Sequence, residues 1–294
     1  MDRTDRRLAA RIAVANVLSL CVLISACQGP AASLAVIDPV LAYLAPDSIK
    51  IFSTVAQEIL LLPATEASAS LYATIDTKAP KIVFLTPLLA SEIDPILSRN
   101  DETRVMYLGN ARPKPNPRLY AAVYSSIDAA ARAGSLAAAE AARLKAELPA
   151  DSPPPSVAAV FAGTAELDAR SEAFLEAYRA AGGAGVPTIE RSAQGFSQIV
   201  ADRLKSLDIR VGYIAAAPRD AERWARQAFD QYAYLAVEYS LPSQQKSSRA
   251  DSFVAWDIEE TVAALRQNLS AGDARIDKGL WKIVLNDQTN GNRR

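Results

Sequence analysis

Four charged side chains stand near the ends of apolar runs, at positions suited to binding polar groups. Asp38 and Asp257 each follow such a run, and Asp220 begins a helical stretch. Their carboxylates can accept hydrogen bonds from hydroxyl groups or from a cationic nitrogen. Arg170 offers a fork of donors to hydroxyls or to a carboxylate. Three of these residues also have a purely structural interpretation. Asp257 suits a helix N-cap, with Glu260 completing a capping box, Asp220 suits a helix start, and Arg170 suits an exposed helix start.

Four uncharged residues complete the candidate set. Tyr124 and Trp256 carry rings that can stack on a sugar or a nucleobase. Thr86 and Asn110 end neighbouring apolar runs, where they can line the rim of a binding site. Core packing is the competing interpretation for Trp256, because its neighbours in the run are apolar.

The composition excludes the commonest catalytic designs. The chain has no His and only two Cys, Cys21 and Cys27. Ser-His-Asp and Cys-His catalysis and the usual zinc sites are therefore excluded. Carboxylate, Lys or Tyr catalysis remains open, but no paired acidic motif stands out. We therefore expect a protein that is not an enzyme, with no catalytic residue, no metal and no cofactor.

The chemistry of Cys27 follows from the residues before it. The first residues are rich in Arg, and no charge appears from Ile12 to Ala26. This is the layout of a secretory signal, whose apolar core is too short to span a bilayer comfortably as a permanent helix. The sequence Ile24-Ser25-Ala26-Cys27 resembles a bacterial lipobox, which implies removal of residues 1–26 and lipid attachment at Cys27. A plain secretory signal or an anchor helix is the alternative.

This interpretation places the protein in the cell envelope, lipid-anchored on the periplasmic or outer surface. Residues 27–33 would form the lipidated tether, and several fatty chains on Cys27 would hold the protein firmly. No second apolar run is long enough to cross a membrane. The net charge of −1, without a basic stretch, gives no indication of nucleic-acid binding.

The candidate residues are positioned by apolar runs that alternate with amphipathic helical stretches along the chain. A proline-rich segment at residues 151–155 interrupts this pattern. We predict strands at residues 34–38, 60–63, 81–86, 104–109, 119–124, 157–162, 186–190, 211–216, 234–239, 253–256 and 281–285. We predict helices at residues 48–61, 127–148, 167–181, 194–207, 219–229 and 258–269. Short apolar strands separated by helices indicate parallel sheets, and two such series predict two doubly wound α/β lobes. Ligands bind such sheets outside the carboxyl ends of the strands.

Four segments resemble, in the correct order, the type I periplasmic binding proteins of the sugar-binding and LacI-like superfamily. They cover residues 126–148, 157–178, 209–224 and 253–265. Gly134 stands at the usual Gly of the family's first hinge helix. Arg170 matches the family's Arg, Asp220 lies close to its ligand-facing Asp, and Asp257 matches its ligand-binding Asp. Three motif positions are altered, however: Ala173 replaces a Gly, and two expected Asn residues are missing.

The resemblance implies two lobes joined by a hinge. The first lobe would hold residues 34–124 with about 257–278, and the second residues 125–256 with about 279–290. It further implies a solute-binding protein that closes on a small polar ligand and serves an ABC-type permease. A signal sequence stands where a repressor would carry its DNA-binding helices, so no nucleic-acid partner is expected. A lipoprotein that kept the fold, lost the ligand and acts as a sensory or structural partner is the alternative, and a carboxylate-based enzyme is a third hypothesis.

Overall fold

The computed structural model describes residues 32–44, 48–63, 67–163, 166–238 and 249–286. The strands are β1 Ser33–Ile37, β2 Glu58–Leu61, β3 Ile82–Leu85, β4 Arg104–Gly109, β5 Leu119–Val123, β6 Val157–Ala162, β7 Thr188–Ser192, β8 Val211–Ala215, β9 Tyr234–Glu238, β10 Ser252–Trp256, β11 Ile276–Lys278 and β12 Trp281–Leu285. The helices are α1 Pro39–Leu44, α2 Ser48–Ser53, α3 Ala67–Lys78, α4 Ile93–Arg99, α5 Ser126–Ala146, α6 Leu167–Ala180, α7 Gln198–Lys205, α8 Pro218–Gln227 and α9 Ile258–Ala271, with a 3-10 helix at Pro87–Glu92.

The strands form two six-stranded sheets. The first has the order β2-β1-β3-β4-β5-β11, and all of its pairings are parallel. The second has the order β7-β6-β8-β9-β10-β12, in which only the pairing of β12 with β10 is antiparallel. The central strands are buried along their whole length, as parallel sheets covered on both faces require.

Alternate side chains of each strand enter two separate apolar layers. In the first sheet, Ala35 and Ile37 pack towards α1, α2 and α9, whereas Leu34 and Val36 pack towards α3 and α4. In the second sheet, one face packs against α5 and α6, and the other packs against α7 and α8. These layers confirm the predicted α/β class with two doubly wound sheets.

The chain passes between the two sheets at three places. After β5 of the first sheet it enters α5, which packs on the second sheet. After β10 of the second sheet it enters α9, which packs on the first. Finally, β11 pairs with β5, and β12, which follows two residues later, pairs with β10. The residue bounds predicted for the two lobes remain predictions.

The structure corrects the sequence predictions in the first half of the chain. The helix predicted for residues 48–61 ends at Ser53, because Glu58–Leu61 pairs with β1 as an edge strand. Helices α1, α3 and α4 were not predicted. The strand predicted at 186–190 lies at Thr188–Ser192, after Pro187, whose missing N–H suits it poorly to a sheet ladder.

The signal peptide, Cys27 and its lipid attachment lie outside the described residues. Within the described ranges, no helix has both the length and the apolar character needed to cross a membrane.

Candidate functional site

The eight candidate residues lie at the carboxyl edges of the two sheets. Asp38, Thr86, Asn110 and Tyr124 directly follow β1, β3, β4 and β5 of the first sheet. In the second sheet, Trp256 ends β10 and Asp257 follows it. Arg170 and Asp220 lie in the first turns of α6 and α8, which follow β6 and β8. These are the strand ends at which doubly wound sheets bind ligands.

Asp38 and Thr86 form a buried pair at the edge of the first sheet. Asp38 Oδ1 accepts hydrogen bonds from the backbone N–H groups of Val40 and Leu41, at 3.0 and 2.9 Å. The Thr86 hydroxyl donates to Asp38 Oδ2 at 2.7 Å, and the Asp38 N–H donates to Thr86 Oγ1 at 2.8 Å. Asp38 therefore caps α1, and its carboxylate is held rigidly in place.

A cavity of about 380 Å³ opens beside this pair. Its apolar lining comes from Val40, Leu62, Leu71, Leu88, Leu89 and two prolines, and its polar lining comes from Asp38, Ser68 and Glu92. Ser68 Oγ donates to Glu92 Oε1 at 2.9 Å, and the Tyr72 hydroxyl donates to Glu92 Oε2. This hydrogen bond raises the pKa of Tyr72. Asn110 is exposed and lies outside the lining of this cavity.

Three aromatic rings, one from each passage between the sheets, pack together. Tyr124 stacks on Trp256 with ring centroids 4.3 Å apart and planes 8° apart. Trp281 meets Tyr124 and Trp256 edge-on, at 5.9 and 6.4 Å. Tyr124 and Trp256 are buried, and burial raises the pKa of Tyr124. Each ring thus has an aromatic partner within the protein, and the predicted stacking on a ligand stays a prediction.

Asp257 lies beside this aromatic cluster and caps α9. Its Oδ1 accepts the backbone N–H of Glu260 at 3.3 Å and lies 3.4 Å from Lys282 Nζ. The side chain of Asp257 is 24% exposed. The N-cap interpretation is therefore correct, although the Asp257 N–H donates to Leu280 O and not to Glu260. The exposed fraction leaves the carboxylate accessible to solvent.

Arg170 is buried in an ion pair that sequence reasoning missed. Its Nη2 donates to Glu238 Oε2 at 2.6 Å, and the Tyr213 hydroxyl donates to the same oxygen at 2.6 Å. Arg170 is 2% exposed, and its Nε has no hydrogen-bond partner in the described structure. Burial raises the pKa of Glu238, whereas the guanidinium of Arg170 opposes that shift. The exposed helix start that was the alternative interpretation for Arg170 is thus wrong.

Asp220 lies against the loop that follows β7. A Cβ added to Gly195 would come within 2.5 Å of Asp220 Oδ2, and Gly195 has a φ of +86°. Arg223 stands 3.8 Å from Asp220 Oδ1 and packs over the Phe196 ring at 4.1 Å. Asp220 is therefore positioned at the edge of the second sheet by a glycine that sequence reasoning did not select.

The residues missed by sequence reasoning share one property, which is that their partners are distant in sequence. Glu238 ends an apolar strand and faces the same side as Tyr234 and Ala236, which is the only signal for its burial. Glu92 ends a 3-10 helix that was not predicted. Among the described residues, no cluster of acidic, Cys or His side chains could hold a metal ion.

The chain matches no protein-family model and no curated protein. Its structure is similar to an ABC transporter system solute-binding protein from Aeropyrum pernix K1, with a TM-score of 0.51, 13% identity, and coverage of 86% of this chain and 76% of that chain. It is also similar to the substrate-binding protein of a sugar ABC transport system from Bordetella parapertussis 12822, with a TM-score of 0.50, 14% identity and coverage of 91% and 92%.

A third similar structure is a transcriptional activator of the comK gene from Bacillus halodurans, with a TM-score of 0.55, 10% identity and coverage of 90% and 94%. At such identities the similarity concerns the fold alone. The sheet order, the three passages between the sheets and these similarities agree with the resemblance seen in the sequence. The chain therefore has the fold of the type I periplasmic binding proteins, with two doubly wound α/β lobes connected by three passages of the chain.

Proposed function

We propose that the protein is a lipid-anchored extracytoplasmic solute-binding protein. Its two lobes would close on a small polar ligand, and the closed form would deliver that ligand to an ABC-type importer. Ligand contacts with both lobes would shift the population towards the closed state. Binding, rather than catalysis, is the function that the site supports best.

The observation that carries this proposal is that the three passages of the chain between the sheets lie side by side and are hydrogen-bonded to each other. The Gly279 N–H donates to Val123 O, and the Asp257 N–H donates to Leu280 O, both at 2.8 Å. The three aromatic rings pack around the same point. In the proposed function, these three adjacent chain segments bend together while the sheets on either side stay rigid, so that they act as the hinge.

The similar structures support the same class of function. Two of those described above are solute-binding proteins of ABC transport systems, and the third is a transcriptional regulator. The predicted signal peptide favours the exported class over the regulator. The alternative of a sensory or structural lipoprotein without a ligand remains, favoured by the aromatic rings that have partners within the protein.

The test is a ligand screen on the full-length protein, purified in detergent, by thermal shift and small-angle X-ray scattering. Sugars, nucleosides and amino acids are the probes. A ligand at a hundredfold excess over Kd stabilises the native state by about 2.7 kcal/mol. We expect a saturable shift together with a smaller radius of gyration. Neither change with any probe, in a well-folded protein, would favour the alternative.

A matched pair of variants locates the binding site. Asp257→Asn keeps the N-cap but removes the charge, because Asn also caps helices well. Asp273→Asn makes the same change at an exposed position after α9. Asp257→Asn should weaken binding at least tenfold and Asp273→Asn should not. Equal effects would place the ligand elsewhere.

Lipid attachment has its own test. Cys27→Ala removes the only thiol on which the predicted lipobox can act. The wild-type protein should fractionate with membranes. The Cys27→Ala variant should carry no acyl mass and should lose its tight membrane association. An N-terminal peptide of the wild-type protein that carries Cys27 without any acyl mass would contradict the lipobox interpretation.

A further inference from the structure

The cavity at the edge of the first lobe has an electrostatic character of its own. The ionisable side chains in its lining are Asp38 and Glu92, and both are acidic. Neither carboxylate has an ion-pair partner among the residues that the structure describes. The nearby Arg99 binds Asp76 at 2.9 Å and packs over the Tyr72 ring at 4.1 Å. The cavity therefore holds two carboxylates without a neutralising cation.

The hydrogen bonds of Glu92 leave its negative charge uncompensated. Its described donors, the hydroxyls of Ser68 and Tyr72, are both neutral. A carboxylate has about four lone-pair sites, so further donors can bind it. A charged donor is the partner that adds most, because charge-assisted hydrogen bonds are roughly twice as strong as neutral ones.

The remaining lining favours an aliphatic group next to that charged donor. Val40, Leu62, Leu71, Leu88 and Leu89 line the cavity, without an aromatic side chain. Val40 and Leu88 are 43% and 60% exposed, so part of this apolar surface faces solvent at the lobe edge. A volume of about 380 Å³ lies within the usual range of ligand pockets, about 300–1,000 Å³.

We propose that this cavity binds the alkylammonium part of a cationic ligand, with the ammonium group on Glu92 beside Asp38 and the aliphatic chain on the leucines. The inference rests on the proposed function, and it specifies the chemical class of ligand that binds at the edge of the first lobe. It favours an amine with an aliphatic body over a neutral sugar, because sugar rings pack best on aromatic faces.

The probes are pentylamine, 1-pentanol and pentanoate, which share a chain and differ in charge. Each is titrated into the full-length protein and followed by NMR or calorimetry. Pentylamine should bind saturably and more tightly than the other two. Affinity should rise about fourfold per methylene from propylamine to pentylamine, as burial of apolar surface requires. Equal binding of pentanol and pentylamine would overturn the proposal.

Two variants and a matched control localise the site. Glu92→Gln keeps the shape and the hydrogen-bond acceptor for Tyr72 or Ser68, and should weaken pentylamine binding at least tenfold. Leu88→Ala changes an exposed residue and should reduce the gain per methylene without affecting the fold. Glu172→Gln removes an exposed carboxylate on α6 and should change nothing. Unchanged pentylamine binding in Glu92→Gln overturns the inference even if that variant is less stable.

The two proposals fail differently. A sugar that stabilises the protein and loses its effect in Asp257→Asn, with no amine binding, would support the solute-binding function and overturn the amine inference. Absence of every shift, with unchanged scattering, would overturn both.

Discussion

Arg170, Glu238 and Tyr213 show how a buried ion pair constrains the second lobe. The side chains of Arg170 and Glu238 are 3% and 12% exposed, and their ion pair at 2.6 Å is hydrogen-bonded further by Tyr213. Removing two ions from water is costly, and only good geometry offsets that cost. Arg170 therefore stabilises the fold mainly because Glu238 is buried beside it, and Glu238 does so mainly because of Arg170.

Arg170→Met should destabilise the protein by about 3–5 kcal/mol at neutral pH, because it leaves Glu238 buried without its partner. The double variant Arg170→Met with Glu238→Leu should recover most of that loss. The measurement is urea-induced unfolding followed by circular dichroism. A double variant as unstable as the sum of its two single variants would contradict this interpretation of the pair.

The pH dependence of the Arg170→Met variant follows from the same pair. The pKa of Glu238 is already raised by burial, and Arg170 is what opposes the shift. Without Arg170, that pKa rises further, so the folded protein binds the proton more tightly than the unfolded chain does. The loss of unfolding free energy in Arg170→Met, relative to the wild-type protein, should be smallest below about pH 4.3. It should grow as pH rises through the pKa of Glu238 in the folded variant. A deficit that is independent of pH would point to lost packing alone.

At the scale of elements, α5 and α6 pack so closely at one point that there is no room for a side chain. The face that α5 buries carries Ala130, Ala133, Gly134, Ala137 and Ala141. A Cβ added to Gly134 would come within 2.2 Å of the backbone oxygen of Phe174 in α6. Small side chains along α5 thus set the distance between the two helices that cover one face of the second sheet.

Gly134→Ala should destabilise the protein by about 1–3 kcal/mol, because overpacking against a backbone outweighs the gain of about 1 kcal/mol in helix propensity. Ser135→Ala, one residue away on the exposed face, should be neutral or slightly stabilising. Thermal unfolding of the three proteins side by side measures both effects. A stabilised Gly134→Ala variant would show that the helices can separate without cost.

At the scale of the whole molecule, buried tyrosines link stability to alkaline pH. Tyr124 lies where the chain leaves the first sheet after β5, and Tyr213 and Tyr234 lie in the second sheet. Burial raises the pKa of all three, that of Tyr234 to about 12. The folded protein therefore keeps protons that the unfolded chain releases near pH 10.

The free energy of unfolding should therefore not change with the ionisation of these tyrosines below pH 10. Above pH 10 it should fall by about 1.4 kcal/mol per pH unit for each fully buried tyrosine. Denaturant unfolding at a series of pH values from about 8 to 11.5 measures the slope. Tyr234→Phe removes one titrating hydroxyl, at the expense of its hydrogen bond to Ser252, and should make the slope shallower. A flat profile above pH 10 would show that the tyrosines ionise without unfolding the protein.

The sequence by itself determined the class of the fold and the edge on which the candidates lie. Residues 157–162 and 211–215 are short continuous apolar runs, and this local pattern predicts strands of a parallel sheet, which the structure shows buried on both faces. Asp38 and Asp257 follow such runs, so their places at strand ends and the capping role of Asp257 could be predicted from local pattern, whereas the helix that Asp38 caps was not predicted.

Only the tertiary structure decided which groups meet. Residues 58–61 form a strand because β1 provides its partner, whereas their local pattern fitted both the end of the predicted helix 48–61 and the start of the predicted strand 60–63. Arg170 meets Glu238 across 68 positions of sequence, and Tyr124 stacks on Trp256. Propensity and spacing act over a few residues, whereas these contacts depend on how separate elements pack. Burial, and with it the balance between a binding role and a structural one, is therefore a property of the assembled lobes.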